Sequence, residues 1–334
     1  MKIVFWGTPD FSNPFLEKLI NQPDFSVEAV VCQPDKPVGR KKVLTAPAVK
    51  ILALDNQIKV LQPNKLKNKD FIKTLKEIKA DFFVVVAYGK IIPEEILTLP
   101  NHGCVNVHPS LLPKYRGPSP IQSSLANGDT ETGISIMLLD TGMDTGPILA
   151  SETILLDDIE TYTTLVKKIH TEGPGLLART LKHFNQDKIK PLPQKSEGVS
   201  LSKILTREDG HITWQEKMSV IDQKSRAYEI WPGLWTNWNN QNKINRLKLI
   251  SLKPSDFNHN LSAGTVLIKN NRLFIDCLNG TLEILRLQLE GKKEISISDF
   301  INGHQEINGA KLFSLVKTVA SFKILTVFFF FIST

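Results

Sequence analysis

Cysteine is scarce in this chain. Cys32, Cys104 and Cys277 are the only three in 334 residues, widely spaced among apolar neighbours and without a CxxC pair. That spacing excludes a disulfide framework and a cysteine-based zinc site, and it reads as reduced thiols of a cytoplasmic protein. No other side-chain cluster calls for a metal. A dinucleotide fingerprint is also missing: the apolar run Ile3-Val-Phe-Trp6 passes into Gly7-Thr-Pro-Asp10, without the glycines that let a pyrophosphate approach a helix N-terminus. That opening run is too short for a secretory leader, and no run reaches the ~20 apolar residues of a membrane helix, so no membrane partner is expected. Acidic residues are outnumbered, 34 against 41 lysines and arginines, giving a formal charge of +7. Such a balance is compatible with a polyanionic partner but locates none. With 41% hydrophobic and 22% charged residues the chain is no disordered polymer, and its length suggests two domains.

What the chain does have is concentrated in Gly103-Cys-Val-Asn106-Val-His108-Pro-Ser110-Leu111-Leu112-Pro113-Lys-Tyr-Arg116-Gly117 and, about two dozen residues later, Leu139-Asp140-Thr-Gly142-Met-Asp144-Thr-Gly146. Asn106 and His108 are two residues apart, so a strand directs both side chains to one face. Pro109 and Pro113 then force the backbone out of regular pairing into a rigid loop. Such a strand end delivers its side chains to the carboxyl edge of a sheet, where open α/β folds bind ligands. Asp144 sits in a glycine-flanked loop of the kind that approaches a ligand closely. An amide, an imidazole and a carboxylate in one pocket suit acyl transfer to an amine: the amide steadies an oxyanion and the other two handle the proton. From spacing alone, a strand-end turn with a satisfied core histidine is the commoner reading of Asn-x-His.

Elsewhere the patterning is that of an α/β protein. Val27 to Cys32 resumes strand character after a helical stretch, and Asp81 to Val86 reads as a central parallel strand ending in a second loop, Ala87 to Pro93. Gln33 to Lys42, with Arg40, Lys41 and Lys42, reads as an exposed loop, either simply solvated or in contact with phosphates. Thr161 to Phe184 is helix-like but broken at Gly173-Pro174-Gly175, and Gln186 to Thr206 is a polar, proline-bearing linker. Beyond it, short alternating runs predict a small β-barrel, OB-like or otherwise. Trp231, Trp235 and Trp238 serve either its core or base stacking.

Asn-Val-His-Pro-Ser-Leu-Leu-Pro followed by Arg-Gly, with Asp-Thr-Gly-Met-Asp-Thr-Gly downstream, resembles the active-site signature of the folate-dependent formyltransferases. Within that family the resemblance runs from Met1 to about Phe313 and is to the members acting on methionyl initiator tRNA. It implies a Rossmann-like catalytic domain with a mostly parallel sheet at 1–185, a linker at 186–206 and an OB-like tRNA-contacting domain at 207–313. It implies 10-formyltetrahydrofolate as formyl donor and a monomeric enzyme with an RNA partner and no DNA partner. Asn106, protonated His108 and Asp144 become the catalytic group. Ser110, Leu111, Leu112 and Pro113, with the main chain of Tyr88, Gly89, Lys90 and Ile91, line the folate site. Arg40, Lys41 and Lys42 contact the tRNA acceptor arm. A small amine acceptor, such as a sugar nucleotide or glycinamide ribonucleotide, and a catalytically silent RNA-binding module are the alternatives. The apolar run at 314–334 has no counterpart in the family and reads as a degenerate or frameshifted terminus, with a tail anchor as the alternative.

Overall fold

The computed structural model describes residues 1–39, 41–257 and 259–314. The expectations for Arg40 and for the apolar run from residue 315 therefore lie outside the described residues. In chain order the first half comprises β1 (Lys2–Gly7), α1 (Asn13–Ile20), β2 (Ser26–Val31), β3 (Lys36–Val38), β4 (Val43–Thr45), α2 (Ala48–Asp55), β5 (Lys59–Leu61), α3 (Lys69–Ile78), β6 (Phe82–Val86), α4 (Glu94–Leu97), β7 (Cys104–His108), α5 (Pro120–Ala126), β8 (Glu131–Leu138), β9 (Ile148–Leu155) and α6 (Tyr162–Asn185).

Seven of these strands form one sheet in the order β5-β2-β1-β6-β7-β8-β9, parallel from β5 to β7 and antiparallel beyond. β1 and β6 are apolar on both faces because both faces are covered: Ile3 and Phe5 enter one core, Val4 and Trp6 the other. From β1 the chain runs outward to β2 and β5, then returns across β1 to β6 and β7. The order therefore reverses between β1 and β6, where the carboxyl ends of parallel strands leave a crevice. Thr8, just after β1, donates to the carbonyl of Tyr88, just after β6, at 3.0 Å.

Two expectations are corrected here. The loop from Gln33 to Lys42 contributes a strand to a short hairpin, β3 pairing with β4 from Lys36↔Thr45 to Val38↔Val43. The break at Gly173-Pro174-Gly175 does not occur, and α6 runs uninterrupted through Pro174. Packing explains this: a side chain at Gly173 would sit 2.8 Å from the ring of Phe15, so glycine lets α6 lie close on α1 and tertiary burial outweighs the lost proline donor.

The second half contains α7 (Met218–Ala227), β10 (Leu234–Asn240), β11 (Lys243–Pro254), β12 (Val266–Lys269), β13 (Arg272–Cys277), β14 (Gly280–Leu289), β15 (Glu294–Ser296) and α8 (Ile297–Gly303). Its antiparallel sheet has the order β10-β11-β14-β13-β12, with β15 on β14. Residues 309–313 stitch the two edges together. Leu312 N–H reaches Gly264 O at 2.8 Å beside β12, and Phe313 and Asn237 exchange both main-chain bonds on β10 at 3.1 Å. The sheet is thereby closed into the small barrel that the alternating runs predict.

Residues 186–206 connect the halves without being a free tether. Leu192 and Ile148 exchange main-chain bonds at 2.8 Å, and Ser202 N–H donates to Arg116 O at 2.7 Å. The segment is a strap laid over the first half. Among the described residues no helix is long and apolar enough to cross a membrane.

Candidate active site

β7 is buried along its whole length, and its alternation places Asn106 and His108 on one face, about 6–7 Å apart along the strand. The side chain of Asn106 makes no hydrogen bond among the described residues, although the residue is only 8% exposed. Its amide is not among the sealed, unpartnered polar atoms, so it opens to the outside with its hydrogen-bonding capacity uncommitted.

His108 is held from both sides. Tyr115 O lies 2.9 Å from Nε2, and a carbonyl only accepts, so Nε2 carries the proton. Nδ1 faces the Asp144 carboxylate, with Oδ2 at 3.6 Å. Burial pushes the imidazole below its ordinary value; Asp144 and the Tyr115 carbonyl oppose that shift without overcoming it. Desolvation thus favours the uncharged ring, with the Nδ1 lone pair toward Asp144.

The turn that aims Tyr115 is itself anchored. Tyr115 has φ +58°. Its amide donates to Ser200 Oγ and its hydroxyl to Asp129, each at 2.8 Å. Ser110 is fully buried and spends its hydroxyl on Lys114 O at 2.6 Å. Ser135, opposite His108 on β8, donates to Ser110 O at 2.7 Å and accepts from Leu112 N–H at 3.0 Å. The hydroxyl of Ser110 is therefore spent on shaping the loop, and Leu112 is buried beside it. Leu111 packs over Gly133, and the Leu112–Pro113 bond is cis.

Asp144 arrives by an unexpected route. Because β8 runs antiparallel to β7, Leu138 opposes Val105, and the 139–147 loop leaves the sheet at the amino end of β7. It folds back to bring Asp144 to His108. Asp140 clamps it, accepting from Gly142 N–H at 3.0 Å and Thr145 Oγ1 at 2.7 Å. The glycines serve this tight path: a Cβ at Gly142 would meet Thr145 Oγ1 at 2.0 Å, and one at Gly146 would meet Leu138 O at 1.9 Å. Asp144 has φ +53°, a conformation unfavourable by roughly 1–2 kcal/mol that needs outside support. Its Oδ2 accepts Gly117 N–H at 2.7 Å, and Gln194 Nε2 donates to Asp144 O and Gly146 O, each at 2.8 Å.

The loop after β6 lies beside β7, as expected. Tyr88 points inward: its ring packs edge-on against Trp6 at 5.1 Å, and its hydroxyl, buried without a hydrogen-bond partner, is pushed up to about 12 by desolvation. The main-chain N–H groups of residues 88–92 donate to nothing among the described residues, and Ile91 is 91% exposed. Cavities of about 470 and 480 Å³ lie elsewhere, beside Phe300 and Phe71.

Lys41 and Lys42 are exposed between the strands of the hairpin, whose six strand residues are all exposed as well. Its base is fixed by Asp35, held below the usual carboxylate range by hydrogen bonds from Gln62 and Lys50. Among the tryptophans, Trp238 is in the barrel core and Trp235 is covered, stacked on His211 at 3.9 Å with Arg246 4.5 Å from its ring. Trp231 is half exposed. Sequence reading missed Tyr115, Ser135 and Gln194. Only Tyr115 lay within a motif that flagged it.

Family models describe residues 1–181 as formyl transferase and residues 204–305 as the formyl transferase C-terminal domain. The chain belongs to the formyltransferase family. Among similar proteins, the methionyl-tRNA formyltransferase of Caldicellulosiruptor saccharolyticus is 42% identical over 307 residues, covering 91% of this formyltransferase and 97% of the relative. That of Caldanaerobacter subterraneus is 41% identical over 313 residues, 93% of this chain and all of the relative. The fold is shared with an N-formyltransferase from Helicobacter canadensis solved with folinic acid and dTDP-3-aminofucose, at a TM-score of 0.60, 18% identity and coverage of 85% and 98%. It is shared also with Aquifex aeolicus HypX in complex with tetrahydrofolic acid, at a TM-score of 0.59, 14% identity and coverage of 90% and 47%.

Proposed function

We propose that this formyltransferase moves the formyl group of 10-formyltetrahydrofolate to the α-amino group of methionine on initiator tRNA. The observation that carries the reading is the set of groups gathered beside β7: the Asn106 carboxamide, without a hydrogen bond among the described residues, and His108 Nδ1 facing the Asp144 carboxylate at 3.6 Å, in a chain about 40% identical to methionyl-tRNA formyltransferases over nearly its whole length. The residues fit a folate donor, since the free amides of 88–92 and the exposed Ile91 offer donors and an apolar edge to a flat heteroaromatic ring.

The donor supplies an activated formyl carbon. The amide N–H of Asn106 hydrogen-bonds the formyl oxygen as negative charge grows there, an interaction stronger in the transition state than before it. A model α-amine has a pKa near ~8, so a useful fraction is already neutral at pH 7. His108 Nδ1 accepts the proton that the attacking amine gives up and returns it to the folate nitrogen as that nitrogen's bond to the formyl carbon breaks; Asp144 stabilises the imidazolium in between while Nε2–H stays on Tyr115 O. Lys41 and Lys42 meet the acceptor arm through phosphates, with the barrel as the second RNA-facing element.

The test is direct. Incubation with 10-formyltetrahydrofolate and methionine-charged initiator tRNA yields formylmethionyl-tRNA, whereas uncharged tRNA gives no product. Faster transfer to a free sugar-nucleotide amine or glycinamide ribonucleotide than to the charged tRNA overturns the choice of acceptor.

A further inference from the structure

Gln194 belongs to the strap between the two halves, yet all four hydrogen-bonding positions of its side chain are spent on the first half. Its Oε1 accepts from Arg116 Nε at 3.0 Å and Nη2 at 2.8 Å, and its Nε2 donates to the carbonyls of Asp144 and Gly146. We propose that Gln194 is a positioning residue for Asp144, the point through which the interdomain strap sets the geometry of the reacting groups.

The bonds close a ring. Asp144 Oδ2 takes the amide of Gly117, Arg116 precedes Gly117, and Arg116 returns to Gln194, which grips the main chain of Asp144. The strap is fastened on both sides of this ring, by the Leu192–Ile148 pair and by Ser200 and Ser202 on Arg116. Asp140 shapes the loop from Gly142 to Thr145 but does not touch the carbonyl of Asp144. Without Gln194 that carbonyl and the Gly146 carbonyl lose their donor, and the left-handed residue loses its main-chain restraint, leaving Gly117 alone on its carboxylate. The Asp144 carboxylate then withdraws from His108 Nδ1, a misplacement of the kind that slows a reaction without weakening binding. This inference rests on the reading of Asp144 as part of the reacting group.

Two variants test it. Gln194→Met keeps the shape and removes all four bonds; Gln194→Glu keeps the acceptor for Arg116 and removes the donors to the loop. Both are expected to lower kcat by about tenfold or more while the KM and Kd for charged tRNA stay within about twofold. Amide exchange at residues 140–146 accelerates in both. The acid limb of the kcat profile moves to lower pH as Asp144 recedes from the imidazole. Wild-type kcat in Gln194→Glu, unchanged loop exchange, or a loss accounted for by tRNA affinity overturns the proposal. Should Gln194→Met fail to fold, Gln194→Glu, which retains the Arg116 pair, supplies the same readouts. A wild-type chain that formylates nothing would refute the functional reading, while loop exchange would still decide the tether.

Discussion

The 139–147 loop and the β3–β4 hairpin both connect strands, and they are built in opposite ways. In the first, a carboxylate clamp, two obligatory glycines, Gly117 and Gln194 fix one aspartate in an unfavourable backbone conformation. In the second, every strand residue is exposed and the anchoring sits at the base, on Asp35. The difference separates two tasks. Aligning reacting atoms rewards a site organised in advance, whereas meeting a large polyanion rewards a projecting element with uncommitted charge.

The contrast is broken most severely at the pinned loop. Asp144→Ala is expected to lower kcat by about 10³-fold and leave charged-tRNA affinity unchanged, as measured by single-turnover formylation beside filter binding. Near wild-type turnover would remove Asp144 from the reacting group. The hairpin gives the reverse pattern. Lys41→Ala with Lys42→Ala raises the KM for tRNA about tenfold at unchanged kcat, and the slope of log affinity against log salt becomes shallower by about one to two. A change in kcat without a change in slope would end the division of labour.

The smallest effect concerns acid. His108 must be uncharged to take a proton, and burial depresses its value, so the acid limb of kcat falls below pH ~6.5. Asp144 is what opposes that depression, so in the residual activity of Asp144→Asn the limb lies lower still. The same sign governs stability. Above pH ~6.5 the group contributes no pH dependence, and as the pH falls below that value the unfolded chain takes up a proton that the folded chain refuses, so the thermal midpoint declines.

The features visible in the sequence were those with a local period. Two-residue spacing was enough to put Asn106 and His108 on one face, and the continuous apolar run ending at Val86 marked a central strand. The motif named Asp144 but not its path, because the direction of β8 depends on pairing with β7 and no local pattern records it. Gln194 and Ser202 were invisible for a related reason. Their partners are atoms 50 and 86 residues away, so the strap has no periodicity and resembles a solvated tether. Gly173-Pro174-Gly175 misled because local propensity favoured a break while the contact with Phe15 favoured continuity.

Closure of the barrel by residues 309–313 bears on how the molecule is made. The outer main-chain N–H and C=O of Asn237 are paired by Phe313, 76 positions later, so during synthesis the seven-stranded sheet is complete long before the second half has a sealed perimeter. Until that stitch forms, β10 beyond Trp235 and the start of β12 present bare main-chain donors and acceptors, the template on which nascent chains recruit one another. A lesion within these five residues would therefore show first as lost yield of native protein on refolding, with the chemistry at β7 untouched in the molecules that succeed.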